Sequence, residues 1–190
     1  GPDFQHWCGP ASVIERFGGA AVHFPPGAFG QNNLAIAERI IEHVRACVME
    51  GARVAEFYAG VGAIGLSLLP RVSHLRINEV SPQSLQGLAL GLDALAPAER
   101  NKIEVIPGAA GTMAFAALDA DVVIADPPRK GLDRELVEQL VADPPARFVY
   151  VSCGLDSFLA DTARLTASGA QRLSDLRAFN LMPYTEHVET

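Results

Sequence analysis

Four short stretches of this chain place reactive or ligand-holding residues at or just after the end of a short strand-like run. In EFYAGVGAIG, Gly60, Gly62 and Gly65 follow such a run. Glycines at that spacing let the backbone pass close to a ligand and present free N–H groups where a helix opens. In INEV, Glu79 comes 19 positions after Gly60, where a carboxylate can accept hydrogen bonds from both hydroxyls of a ribose. In VVIADPPRKGLD, Asp126 is followed by Pro127 and Pro128, which stiffen the loop that carries it. In FVYVSCG, an apolar run delivers Cys153 to its end, where a thiolate can act as a nucleophile. The segment after Cys153 reads as a helix capped near Asp156, and its positive end is expected to lower the thiol pKa.

These stretches need a scaffold that brings strand ends together. From about residue 53, short β-branched runs alternate with amphipathic ones, the pattern of a mostly parallel, twisted sheet with helices on both faces. The spacing predicts strands over 53–59, 74–80, 103–108, 121–127 and 147–153, and a last one near 176–182. In such α/β sheets ligands bind beyond the carboxyl ends of the strands, at the switch point. Residues 11–24 predict a hairpin around Gly18-Gly19, and 32–50 a helix capped by Asn32 or Asn33, with Cys47 on its core side. We read 1–30 as a lead-in and 31–190 as the catalytic domain.

Composition bounds the function. A chain of 190 residues with 49% hydrophobic and 19% charged residues has the material for one globular core. No apolar run approaches the roughly 18 residues of a membrane span, so neither a membrane nor secretion is expected. Cys8, Cys47 and Cys153 lie far apart, offering neither a disulfide framework nor metal-ligand spacing; no metal and a reducing, cytoplasmic location are expected. A net charge of -7 gives no broad electrostatic grip on nucleic acid, although Arg129 and Lys130 can contact phosphates locally.

Gly60 and Glu79 alone leave a dinucleotide and S-adenosylmethionine equally open. The Asp126-Pro-Pro loop breaks the tie, because a stiff acidic loop is unusual in a dehydrogenase and familiar beside the reacting base in nucleobase methyltransferases. From these residues the chain resembles the S-adenosylmethionine-dependent RNA 5-methyluridine methyltransferases of tRNA and ribosomal RNA. FGQNN, EFYAGVGAIGL, INEVSP, DPPRKGLD, YVSCG and PYTEHVE follow in that family's order over residues 24–190. The resemblance implies a Rossmann-like class I methyltransferase fold. It also implies that Gln31, Tyr58, Gly60, Glu79 and Asp126 line the cofactor site, that Cys153 is the nucleophile and that Glu189 is the base. The expected partner is a structured RNA, a tRNA or rRNA loop, and the expected state is a monomer. In relatives an RNA-binding domain precedes such a segment. The sequence departs from the family at Ala63, where an asparagine is common, and at Gly154-Leu155, where Asn-Pro is usual. Phe29 and Tyr184 are candidate base-stacking rings, with packing as the expected role. Two other functions fit the same elements: methylation of an exocyclic base nitrogen, which needs no thiol, and a cofactor- or RNA-binding module without turnover.

Overall fold

The computed structural model describes residues 9–185 and 188–190; Cys8 and the His187 of the closing motif lie outside the described residues. The chain enters through an antiparallel hairpin, β1 (Val13–Phe17) and β2 (Ala20–Phe24), turning at Gly18-Gly19. Helix α1 (Leu34–Cys47) follows. Asn33 is its cap, with Oδ1 accepting from the Ile36 amide at 3.3 Å. Ala37, Ile40, Ile41 and Val44 form its buried face, whereas Cys47, expected in the core, is half-buried at the last turn.

The main sheet contains β3 (Arg53–Phe57), β4 (His74–Glu79), β5 (Ile103–Pro107), β6 (Val122–Ala125) and β7 (Arg147–Tyr150). Its order is β5-β4-β3-β6-β7, with every pair parallel. The connections carry α2 (Ala63–Leu68), α3 (Pro82–Asp93), α4 (Pro97–Arg100), a 3₁₀ turn at Ala114–Ala117 and α5 (Arg134–Ala142); α6 (Leu155–Thr166) follows β7. Alternate strand residues face opposite layers. Val54, Ile77, Val122 and Ile124 pack with the hairpin and α1 to α3, while Ala55, Phe57, Val123 and Ala125 pack with Leu136, Leu140 and Leu165 of α5 and α6. Burial on both faces explains why the central strand β6 reads as a continuous apolar run.

Because β3 has β4 on one side and β6 on the other, the connections leaving β3 and β6 diverge and leave a crevice at their carboxyl ends. The strand expected near 176–182 does not form. Residues 171–178 have no regular structure, and the segment contributes a single antiparallel bridge, Phe179 to Glu189. Its apolar alternation suits a strand, but a strand exists only where an edge pairs with it.

Candidate active site

At the end of β3, Tyr58 takes a φ of 58°, uncommon for a bulky residue, and swings the glycine loop out of the sheet. No atom lies within 4 Å of where a Cβ on Gly60 would stand, so the loop faces open space there. The Glu79 carboxylate fixes this loop from the neighbouring strand. Its Oε2 accepts from the Gly60 amide at 2.7 Å, and its Oε1 accepts from the amides of Val80 and Ser81 at 2.8 and 2.6 Å. A carboxylate offers about four acceptor positions, which leaves one on Oε2 for a ligand hydroxyl.

Beneath the loop lies a group that sequence reading missed. Glu56 is 2% exposed, and its Oε2 has no hydrogen-bond partner. A Cβ on Gly65 would collide with that oxygen, so the helix can approach β3 only with glycine there. Burial, reinforced by Asp126 and Glu79 and opposed by the nearby Gly65 amide, pushes Glu56 up to about 8. Asp126 stands one residue beyond β6, and burial with the Glu189 carboxylate pushes it up to about 7. The only early sign of Glu56 was an acid inside an otherwise apolar strand.

Past β7, the Val151 amide still donates to Ala125 O at 2.9 Å. The next residue takes a different partner: Ser152 and Thr190 exchange amide hydrogen bonds of 2.7 and 2.8 Å, and Phe179 and Glu189 exchange 2.7 and 3.0 Å. Two backbone pairings therefore pin Glu189, 4% exposed, beside the residue that precedes Cys153. Burial pushes the Glu189 carboxyl up. Cys153 is half-buried, and burial, then Glu189 and Asp126, push its thiol up, with Arg129 the opposing charge. This corrects the expected lowering. Helix α6 does begin beside the thiol, but its cap is Gly154, without a side-chain bond, and Asp156 lies in the first turn.

Tyr58, Gly60, Glu79, Asp126, Cys153 and Glu189 thus share the carboxyl edge. Gln31 is half-buried in the loop between β2 and α1, and no hydrogen bond among the described residues draws it to the others. Its neighbour Asn33 donates from Nδ2 to Leu181 O at 3.4 Å, linking that loop to the segment that carries Glu189. Phe29 and Tyr184, expected to pack, are both strongly exposed.

A parallel α/β sheet with a crevice at its switch point and this set of groups has the architecture of a Rossmann-like methyltransferase domain. The chain belongs to the tRNA (uracil-5-)-methyltransferase family, whose model matches residues 20–190. It is 37% identical over 181 residues to an uncharacterized RNA methyltransferase of Protochlamydia amoebophila, covering 95% of this chain and 47% of that protein. It is 28% identical over 187 residues to a tRNA (uracil(54)-C(5))-methyltransferase of Pyrococcus abyssi, covering 98% and 44%. The crystal structure of the Pyrococcus abyssi tRNA (uracil-54, C5)-methyltransferase in complex with S-adenosyl-L-homocysteine superposes with a TM-score of 0.85 at 26% identity, over 98% of this chain and 45% of that one. The chain spans less than half the length of these relatives.

Proposed function

We propose that this chain is the catalytic portion of an enzyme that transfers a methyl group from S-adenosylmethionine to carbon 5 of a uridine in a tRNA or rRNA loop. The observation that carries this reading is the placement of Glu189 and Asp126 within electrostatic reach of Cys153, in a chain of the uracil-5 family. The open space over Gly60 and the free acceptor position on Glu79 suit a nucleoside cofactor, which Gln31, Tyr58, Gly60, Glu79 and Asp126 would hold. When bound, that cofactor supplies an electrophilic methyl group on a sulfonium.

Carbon 5 of uracil is a weak nucleophile, and Cys153 raises its reactivity. The thiolate sulfur adds to carbon 6, and the carbon 5–carbon 6 electron pair moves toward the carbonyl at carbon 4 as an enolate. With the cofactor bound, that electron pair would form the new bond from carbon 5 to the methyl group as the methyl–sulfur bond breaks, its electrons staying on sulfur and S-adenosylhomocysteine leaving. Glu189, in its carboxylate form, then takes the carbon 5 proton; the double bond re-forms and the Cys153 thiolate leaves. The half-buried thiol and buried base exclude water from the adduct, and the target base must leave its stack to reach them, which is easiest in a loop. The further parts of the full-length protein supply most of the RNA grip, and the catalytic domain works as a monomer in the cytoplasm.

The test incubates the full-length protein with S-adenosylmethionine and RNA carrying 5-fluorouridine, whose carbon 5 has no proton to lose. A denaturation-stable protein–RNA adduct is expected, absent in Cys153→Ala. An adduct that persists in Cys153→Ala overturns the nucleophile. Methyl found on a base nitrogen by mass spectrometry, with full activity in that variant, overturns the carbon 5 reading.

A further inference from the structure

The loop that follows β6 is held from two sides at adjacent amides. Leu132 N–H donates to Asp161 Oδ2 at 2.9 Å, and Asp133 N–H donates to the Tyr58 hydroxyl at 2.8 Å. The same Asp161 oxygen accepts the Tyr150 hydroxyl at 2.9 Å. Tyr58 opens the glycine loop, Tyr150 closes β7, and Asp161 sits on the buried face of α6 between Phe158 and Leu165, 5% exposed. Cys153 lies between the last two elements: β7 leads toward it and α6 departs just after it. Two close approaches reinforce the arrangement. A Cβ on Gly131 would collide with Asp161 Oδ2, and one on Gly154 would lie 2.8 Å from Arg129 O.

A carboxylate on the buried face of an amphipathic helix is unfavourable unless donors compensate it. An apolar residue would fill the same space but would leave Leu132 N–H and the Tyr150 hydroxyl without this acceptor. What the carboxylate adds is a defined position for residues 126–133 relative to β7 and α6. We infer that Asp161 is a positioning residue for methyl transfer, holding the Asp126 loop in register with Cys153 through Leu132 and Tyr150, while Tyr58 ties the cofactor loop to the next amide. The inference rests on the reaction proposed above.

The experiment compares Asp161→Ala, Asp161→Asn and Tyr150→Phe in the full-length protein. It measures single-turnover methylation at saturating S-adenosylmethionine, S-adenosylhomocysteine affinity by calorimetry, and the thermal midpoint. Misplacing reacting groups by about 1 Å can slow a reaction about 100-fold, and a loss of that order is expected for Asp161→Ala, with cofactor affinity nearly unchanged. Asp161→Asn keeps an acceptor for both donors and is expected to recover most of the rate. Tyr150→Phe removes one hydroxyl only; it carries the test if Asp161→Ala does not fold, and its rate is expected to fall about tenfold. Wild-type rates in the folded fraction of Asp161→Ala or in Tyr150→Phe overturn the inference, as do equal losses in the alanine and asparagine variants that track weakened cofactor binding. A wild type that makes no 5-methyluridine overturns the underlying reaction as well; an active wild type matched by its variants overturns this inference alone.

Discussion

A thiol next to carboxylates is less ionised near neutrality than the same thiol in water, because each negative charge opposes its ionisation. For Cys153 burial is the largest opponent of ionisation, two such neighbours add to it, and Arg129 pulls the other way. The reactive form is the thiolate and its pKa is raised, so reactivity should climb through neutrality and go on climbing above the ordinary thiol range. In a chain with Cys8 and Cys47 changed to serine, alkylation of Cys153 by iodoacetamide should rise about tenfold per pH unit from 7 to 9. It should be slower still in Arg129→Ala. A plateau at or below pH 8 would show a thiol that neither burial nor the carboxylates oppose. Glu189 makes a second prediction at this scale. If it removes the carbon 5 proton, Glu189→Gln should stop the reaction after methyl transfer, and a denaturation-stable adduct should accumulate on ordinary uridine RNA, seen by gel shift. Rapid release of product from that variant would assign the proton to another base. Cys153 was legible because it ends an apolar run, but its pKa was not. The opposing charges come from Asp126, 27 positions upstream, and Glu189, 36 positions downstream, and sequence spacing does not reveal that the fold brings them together.

Helix α2 lies against β3 over a buried acid, and this contact sets the pH response of the junction. Glu56 and Asp126 carry folded-state pKa values of about 8 and 7, above those of exposed carboxyls. The folded state therefore binds more protons than the unfolded state between about pH 4.5 and 8. Their contribution is fully present below that window and is lost as pH rises through it. For Glu56 the loss is on the order of 3–5 kcal/mol, since one pH unit of displacement is worth about 1.4 kcal/mol. Urea unfolding of Glu56→Gln should show higher stability than wild type at pH 8.5 and a flatter profile from pH 5 to 8.5; parallel profiles would mean that Glu56 is not desolvated. The junction of β7 and α6 gives another case. A side chain on Gly154 would meet Ser157 Oγ at 2.7 Å and Arg129 O at 2.8 Å, so Gly154→Asn should displace the Asp126 loop. Methylation in that variant should fall about tenfold or more with the thermal midpoint little changed; a rate equal to wild type would mean that the loop yields freely. Most of these elements could be read beforehand. Val54, Ala55 and Phe57 mark β3, the buried run Val122–Ala125 marks β6, Phe148, Val149 and Tyr150 mark β7, and i, i+3, i+4 spacing marks α1, α3, α5 and α6, whereas β4 offers only Leu75 and Ile77 as apolar residues. The segment 176–182 misled because its alternation records which side chains are apolar and says nothing about whether a free edge is within reach.

At the scale of the molecule, the question is how an acidic chain meets a polyanion. Net charge is -7, and much of the basic complement is already engaged: Arg53 bonds Asp121, Arg76 bonds Glu104 and the carbonyls of Ala116 and Leu118, and Lys102 bonds Leu69 O. Near the site, Lys130 is held by Asp133 at 2.8 Å, which leaves Arg129 as an exposed cation whose charge reaches Cys153. Each phosphate neutralised on a single strand contributes about -0.7 to the slope of log affinity against log salt. A domain that engages one or two phosphates should therefore show a slope no steeper than about -1.5. Anisotropy titrations of a labelled RNA stem-loop with the 190-residue chain from 50 to 200 mM salt should give weak binding with that shallow dependence, and the full-length protein should give a steeper one. The exposed rings of Phe29 and Tyr184 can hold unstacked bases by contacts that salt hardly screens. Changing both to alanine should thus weaken binding while leaving the slope in place. A slope of about -4 or steeper for the 190-residue chain alone would mean that its own surface carries a phosphate track, and the charge argument would then fail whatever the rest of the protein adds.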